Sequence, residues 1–81
     1  MLQLYFDRTC PFCQRVLKFI ESKGISYEPK EMSLRSNSPE RDELIELSGR
    51  AQVPYLVDPE RDVKMPESAD IIRYLDTHRA S

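Results

Sequence analysis

The sequence predicts an α/β domain in which four strands and three helices follow one another in the order β-α-β-α-β-β-α. Its 81 residues fit one domain, residues 1–81, with a thin but sufficient core. Apolar residues make up 40% of the chain and charged residues 32%, as in ordinary globular proteins. Apolar side chains recur with a strand-like period in some segments and a helix-like period in others, and Gly24 and Gly49 end two of the helical segments.

The first strand, the first helix and the second strand come first along the chain. Leu2–Phe6 is apolar-rich and alternates as a short strand does. Residues 12–23 have a helical pattern that ends at Gly24. A second strand around Ser26–Lys30 contains Pro29, which has no backbone N–H and therefore favours a sheet edge. A strand–helix–strand unit of this kind crosses over right-handed to a parallel strand.

The rest of the chain predicts a second helix, a hairpin and a third helix. Ser38–Pro39 offers a hydroxyl cap followed by proline at the first helical position, and Gly49 ends that helix. Tyr55–Val57 and Val63–Met65 are two strands joined by a polar turn, so they form an antiparallel hairpin. Pro66–Ser68 opens the last helix. The result is a mixed four-stranded sheet with helices on both faces, which is the thioredoxin-like architecture.

Composition and charge exclude several classes of function. The net charge is -2 and both signs are mixed along the chain, so no basic patch indicates a nucleic-acid partner. No apolar run reaches the roughly 20 residues of a membrane span. Met1–Phe6 lacks the basic start and long apolar stretch of a signal peptide, so we expect a cytoplasmic protein. The charged stretch Glu40–Glu46 is expected to form a solvated helix face.

Cys10 and Cys13 are predicted at the junction of the first strand and the first helix. At a helix N-terminus, unpaired backbone N–H groups and the positive end of the dipole favour a thiolate, which is the nucleophilic form of cysteine. Arg8 adds positive charge nearby, and Pro11 fixes the backbone where the helix begins. Cys13 lies one turn further in, less exposed and placed to attack a mixed disulfide on Cys10. A C-x-x-C pair in this context indicates redox chemistry.

The two cysteines have three alternative roles that the spacing leaves open. A zinc site needs about four ligands, and two cysteines with His78 fall short, so no metal is expected. A permanent structural disulfide is disfavoured in a reducing compartment. Two buried and unreactive cysteines are the third alternative.

Three separated motifs resemble the glutaredoxin family. They are Cys10–Cys13 (CPFC), Gln52–Pro54 (QVP) and Pro66–Ser68 (PES) with the helix that follows. The first resembles the dithiol glutaredoxin active site, with Phe12 where that family most often has tyrosine. The other two are more similar to the N-terminal domain of glutathione S-transferases. The chain as a whole therefore resembles the glutaredoxin that has a glutathione-transferase-type fold.

The resemblance implies a glutathione site. Pro54 corresponds to the family's cis-proline facing the active-site cysteine, and the backbone at Val53 pairs with the peptide of glutathione as an added strand does. Glu67 and Ser68 correspond to the residues that hold its γ-glutamyl end at a helix N-terminus. Gln52 corresponds to a partner of the glycyl carboxylate. The residues implied to bind glutathione are Arg8, Pro11, Phe12, Gln52, Val53, Pro54, Glu67 and Ser68.

Some of these assignments have alternatives. Arg50 is a second candidate for the glycyl carboxylate beside Gln52. Ser68, taken alone, also fits the role of a simple helix cap. The chain departs from common glutaredoxins at Asp7 and Arg8, where a lysine often precedes the first cysteine.

The resemblance implies a glutathione-dependent thiol–disulfide oxidoreductase that acts through Cys10 and Cys13. Its expected partners are glutathione and disulfide-containing or glutathionylated proteins, and we expect a monomer. One alternative is a glutathione transferase domain, which we disfavour because we expect this chain to lack the helical second domain of those enzymes. Another is a module that bridges a [2Fe–2S] cluster between two subunits. Pro11 disfavours the cluster module, because cluster-binding relatives more often have glycine there.

Overall fold

The computed structural model describes residues 1–79 and has the predicted element order. The elements are β1 (Gln3–Phe6), α1 (Pro11–Lys23), β2 (Glu28–Glu31), α2 (Pro39–Ser48), β3 (Tyr55–Asp58), β4 (Val63–Pro66) and α3 (Ser68–His78). The strands lie in the order β2-β1-β3-β4. β1 pairs parallel to β2 and antiparallel to β3, and β3 pairs antiparallel to β4. The predicted thioredoxin-like fold is confirmed.

The second strand is shifted from its predicted position at Ser26–Lys30. It runs from Glu28 to Glu31, because hydrogen bonds to β1 fix where pairing begins and ends. The Glu28 N–H donates to the Leu2 carbonyl at 2.7 Å, and the N–H of Met32 donates to the Phe6 carbonyl at 2.9 Å. β2 is an outer strand, the position predicted from its proline.

The start of the last helix also differs from the prediction. Pro66 is expected from the sequence to open α3 but is the last residue of β4, where it pairs with Tyr55. The helix begins two residues later, at Ser68. Strand pairing therefore extends further toward α3 than the proline suggested.

The ends of the first two helices follow the sequence signals. Gly24 ends α1 with φ of +63°, a left-handed conformation that glycine adopts at little cost. The N–H of Ile25 donates to the Ile20 carbonyl at 3.1 Å, which closes the last turn. At the start of α2, the Ser38 hydroxyl accepts a hydrogen bond from the Arg41 N–H at 3.1 Å. Both predicted helix ends are confirmed.

The sheet is buried on both faces by different helices. α1 and α3 cover one face, where the buried core residues are Leu2, Leu4, Phe6, Cys13, Val16, Ile20, Leu56, Ile71 and Leu75. α2 covers the other face, where the buried residues are Tyr5, Met32, Leu44, Tyr55 and Val57. Because neighbouring side chains of a strand point to opposite faces, β1 contributes to both clusters. Cys13 is therefore a core residue as well as a member of the cysteine pair.

The α2 face contains one polar network that the sequence did not predict. The hydroxyl of fully buried Tyr5 donates to the Glu43 carboxylate. Lys30 pairs with the same carboxylate at 3.2 Å and with Glu28 at 3.3 Å. Burial and the bond to Glu43 raise the pKa of Tyr5, so it remains a neutral donor. The expectation that Glu40–Glu46 is only a solvated face is wrong for Glu43, which joins α2 to the sheet.

Asp58 is a fully buried carboxylate at the end of β3. It accepts hydrogen bonds from the Tyr74 hydroxyl at 2.5 Å, from Arg79 Nη2 at 3.1 Å and from the Glu60 N–H at 3.1 Å. Burial opposes ionisation, but the bonds from Tyr74 and Arg79 outweigh it and hold the pKa of Asp58 below its usual value. Asp58 thereby ties α3 to the turn between β3 and β4.

We predict that Asp58→Asn destabilises the domain by about 1–3 kcal/mol at neutral pH, because a charged acceptor of hydrogen bonds is lost from a buried site. A domain of this size should then melt about 4–8 °C lower for each kcal/mol lost. The folded pKa lies below the roughly 3.9 of an unfolded aspartate, so the stabilisation is present near pH 7 and disappears as the pH falls through the folded value. Circular-dichroism melts at pH 7 and pH 3 measure both effects.

The matched control is Asp76→Asn, which changes an exposed aspartate on α3, the helix that Asp58 ties to the β3–β4 turn. Its melting temperature should stay near that of the wild type. A difference between Asp58→Asn and wild type that is equally large at both pH values would contradict the assigned charge state.

Candidate active site

Cys10 stands where the loop after β1 enters α1. It occupies the N-cap position with an extended backbone, and Pro11 is the first helical residue. Its N–H donates to the Asp7 carbonyl at 3.0 Å, and its own carbonyl accepts from the Gln14 N–H at 3.0 Å. The first turn of α1 contains no acidic residue. Cys10 therefore lies at the positive end of the helix dipole, as predicted.

The two thiols differ sharply in exposure. Cys13 is fully buried, whereas Cys10 is half-buried, and both are free thiols. Burial raises the pKa of the Cys13 thiol to about 12, although a hydrogen bond from the Asp7 N–H acts in the opposite direction. The neighbouring Cys10 thiol raises the pKa of Cys13 further. Cys10 is therefore the accessible sulfur, and Cys13 is a protonated thiol held directly behind it.

A cleft of about 350 Å³ brings together six of the residues expected to bind glutathione. They are Phe12, Gln52, Val53, Pro54, Glu67 and Ser68. These residues come from the first turn of α1, the loop before β3 and the start of α3. The Val53–Pro54 peptide bond is cis, the conformation that the resemblance implies. The cleft volume lies within the usual range of small-ligand sites.

The N-terminus of α3 lines one end of the cleft. Glu67 occupies the N-cap position with φ of +75°, a conformation that costs a non-glycine residue on the order of 1 kcal/mol. Ser68 is the first helical residue, and its side chain is buried. The alternative of Ser68 as the helix cap is therefore wrong, because Glu67 holds that position and neither side chain caps the helix. The helix N-terminus lies against a cleft suited to a carboxylate.

Arg8, Pro11 and the two cysteines lie outside the lining of this cleft. Arg8 forms a bidentate ion pair with Glu31, at 2.8 Å from Nε and 3.0 Å from Nη2. Its charge is therefore engaged with β2, and it does not line the cleft to which the resemblance assigned it. Arg50 lines an adjoining depression that shares Gln52 with the cleft.

Arg15 lines the cleft but was missed from the sequence. Its guanidinium lies 5.8 Å from the centre of the exposed Phe12 ring, within cation–π range. The sequence signal that could have identified Arg15 is its position three residues after Phe12, because residues three apart share one helix face. Arg15 and Glu67 give the cleft one charged side chain of each sign.

Residues 1–79 offer neither a membrane span nor a metal cluster. No helix in this part of the chain is long and apolar enough to cross a membrane. The same residues contain no group of three or more histidine, cysteine, aspartate or glutamate side chains placed to hold a metal ion.

Comparison with known proteins identifies similar sequences and folds. Residues 4–81 match the profile of the family described as glutathione S-transferase, N-terminal domain. The chain is 36% identical over 55 residues to glutaredoxin 3 of Escherichia coli K12, and the alignment covers 68% of this chain. The alignment spans 64% of the length of that relative, so the chain matches just under two thirds of it.

Solved structures show the same fold. A glutathione S-transferase from the Antarctic clam Laternula elliptica has a TM-score of 0.80 and 33% identity, over 94% of this chain and 34% of that one. Glutaredoxin 2 from Salmonella typhimurium, in complex with glutathione, has a TM-score of 0.76 and 26% identity, over 94% of this chain and 33% of that one. In both, the match covers about a third of the larger chain.

We predict that iodoacetamide labels only Cys10 in the folded protein at pH 8. With a pKa of about 12, roughly one Cys13 thiol in ten thousand is ionised at that pH, and the group is buried. Peptide mass spectrometry should find one label in the native protein and two in denaturant. The folded Cys10→Ser variant should take up no label, and equal labelling of both cysteines in the native protein would refute the assignment.

Proposed function

The chain belongs to the glutathione S-transferase N-terminal domain family, and from that premise we propose that it is a glutathione-dependent thiol–disulfide oxidoreductase of the glutaredoxin type, acting in the cytoplasm. One observation carries the proposal. An accessible cysteine stands at a helix N-terminus, and a second, buried cysteine lies three residues further along the same helix. The similarity to glutaredoxin 3 supports the same class of reaction.

Glutathione, as co-substrate, fits the cleft beside Cys10. The Glu67 carboxylate is suited to the ammonium group of the γ-glutamyl end, and the N–H groups at the start of α3 with the Ser68 hydroxyl are suited to its carboxylate. The backbone at Val53, which lines the cleft, is the proposed partner of the cysteinyl peptide. Gln52 is the proposed partner of the glycyl carboxylate. This orientation directs the glutathione sulfur toward the start of α1.

For a glutathione mixed disulfide, the proposed reaction uses Cys10 alone. The Cys10 thiolate attacks the glutathione sulfur, the substrate's thiolate leaves and takes up a proton, and a Cys10–glutathione disulfide forms. The thiolate of a second glutathione then attacks that disulfide. Oxidised glutathione leaves and the Cys10 thiolate is regenerated. The net reaction converts the mixed disulfide and one free glutathione into the substrate thiol and oxidised glutathione, so the substrate's own glutathionyl group supplies the other half of the disulfide.

For a protein disulfide, Cys13 completes the reaction. Cys10 attacks one substrate sulfur and forms a mixed disulfide with the protein. Cys13 then loses its proton, attacks the Cys10 sulfur and releases the reduced protein, which leaves a Cys10–Cys13 disulfide. Two glutathione molecules reduce that disulfide and become oxidised glutathione. The position of Cys13 three residues after Cys10 on the same helix supports this route.

A second candidate function is glutathione conjugation. It is favoured by the family match and by the 33% identity to the clam glutathione S-transferase. Against it, a cysteine at the active position favours disulfide exchange over activation of a bound thiol. An assay with a generic aryl halide distinguishes the two, because conjugation consumes glutathione without forming its disulfide.

We predict that Cys10→Ser abolishes glutathione-dependent reduction of a small mixed disulfide, because the nucleophile is lost. Cys13→Ser should retain activity on that substrate but lose activity on a protein disulfide. The assay couples oxidised glutathione to glutathione reductase and NADPH. Activity that survives in Cys10→Ser and disappears in Cys13→Ser would reverse the assigned roles, and an inactive, folded wild type with free thiols would refute the proposed function.

We predict that Glu67→Gln raises the KM for the glutathione mixed disulfide about tenfold and leaves kcat nearly unchanged, because it removes one charge-assisted hydrogen bond to the ligand. Steady-state kinetics measure the two constants separately. Glu46→Gln, an exposed glutamate on α2, is the matched control and should leave both constants unchanged. An unchanged KM in Glu67→Gln would remove Glu67 from the binding site.

A further inference from the structure

Asp7 is a buried carboxylate in the loop that carries Cys10, and the proposed chemistry does not use it. Its side chain is 8% exposed. Oδ1 accepts hydrogen bonds from the Thr9 N–H at 2.9 Å and from the Thr9 hydroxyl at 2.7 Å. Oδ2 accepts from the Leu34 N–H at 3.1 Å. The carboxylate therefore ties the loop before α1 to the loop between β2 and α2.

The backbone of Asp7 contacts both cysteines. Its carbonyl accepts the Cys10 N–H at 3.0 Å, which closes a tight turn directly before α1. Its N–H acts to lower the pKa of the buried Cys13 thiol. The bond from Asp7 to the N–H two residues later is the local side-chain turn that aspartate forms readily. Every polar group of Asp7 is thus engaged in holding the nucleophile loop.

We propose that Asp7 is a positioning residue for Cys10, whose carboxylate fixes the turn that presents the Cys10 sulfur at the start of α1. The kinetic part of this inference rests on the proposed function, whereas its chemical part concerns only the reactivity of Cys10.

The negative charge of Asp7 does not explain why a carboxylate is favourable beside the two cysteines. Hydrogen bonds from Thr9 and Leu34 lower the pKa of Asp7, so it is ionised near neutral pH. A negative charge here disfavours a thiolate, and Asp7 contributes to raising the pKa of Cys13. Arg35 offsets part of this charge, while Arg8 is engaged with Glu31. The charge of the carboxylate therefore acts against ionisation of Cys13, and the hydrogen bonds of Asp7 are what favour the site.

The test distinguishes the effect of the Asp7 hydrogen bonds on Cys10 from the effect of the Asp7 negative charge. In a Cys13→Ser background, the rate of Cys10 alkylation by iodoacetamide at pH 7 is measured with and without Asp7→Asn. Asparagine has one acceptor oxygen, so its amide N–H₂ faces either Thr9 or Leu34 and breaks one link. We expect about tenfold slower alkylation, and a similar fall in kcat with KM within twofold, because Asp7 does not line the glutathione cleft. Unchanged or faster alkylation means that the charge dominates, and it overturns the proposal.

A second pair of variants shows whether a change in alkylation rate comes from the lost hydrogen bond or from misfolding. Thr9→Val removes only the hydroxyl bond and should slow alkylation about threefold, whereas Thr9→Ser keeps that bond and should react at the wild-type rate. Equal rates in the two Thr9 variants overturn the proposal.

Asp58→Asn is the matched control, because it changes another buried aspartate. The strand register places Asp58 at the opposite end of the sheet from Asp7, since its neighbour Val57 pairs with Gln3. All variants are assayed well below their melting temperatures, and Asp58→Asn should alkylate at the wild-type rate. The same loss of rate in this control means general destabilisation and overturns the proposal. Absent turnover in the wild type refutes the proposed function, while the alkylation rates still decide the role of Asp7.

Discussion

The position of β1 is the constraint on which the rest of the structure depends. β1 is paired on both edges and buried on both faces, so it cannot slip along either neighbour without exposing apolar side chains. Its carboxyl end delivers the loop that carries Cys10, and its partner β3 begins directly after the cis peptide before Pro54. The same pairing therefore determines where Cys10 and the cleft wall lie relative to each other.

Cys13 is both a core residue and a member of the cysteine pair. Its sulfur belongs to the main apolar cluster under α1 and α3, and that burial keeps its thiol protonated. Cys10, one turn earlier, packs against that cluster but is only half-buried, because it lies at the N-cap. Two identical side chains three residues apart therefore have different exposure to solvent, and the difference follows from which part of the helix reaches the core.

Local signals were enough to predict the element order and the cysteine junction, because each depends on neighbouring residues. Gly24 and Ser38 mark helix ends by backbone chemistry that needs no tertiary partner. Features that depend on contacts distant in sequence were missed. The β2 register depends on bonds to β1, and the pairing of Arg8 with Glu31 joins residues 23 apart. Asp7 was seen only as a departure from a family pattern, because its bond to Leu34 spans 27 residues.

The two outer strands of the sheet each contain a proline, Pro29 in β2 and Pro66 in β4. A proline offers no N–H to a neighbouring chain, and β2 adds the charges of Glu28, Lys30 and Glu31 along the same short edge. Both edges are therefore poor templates for a fifth strand. Unpaired sheet edges are where strands of other chains add, so these two edges oppose incorporation of the domain into aggregates.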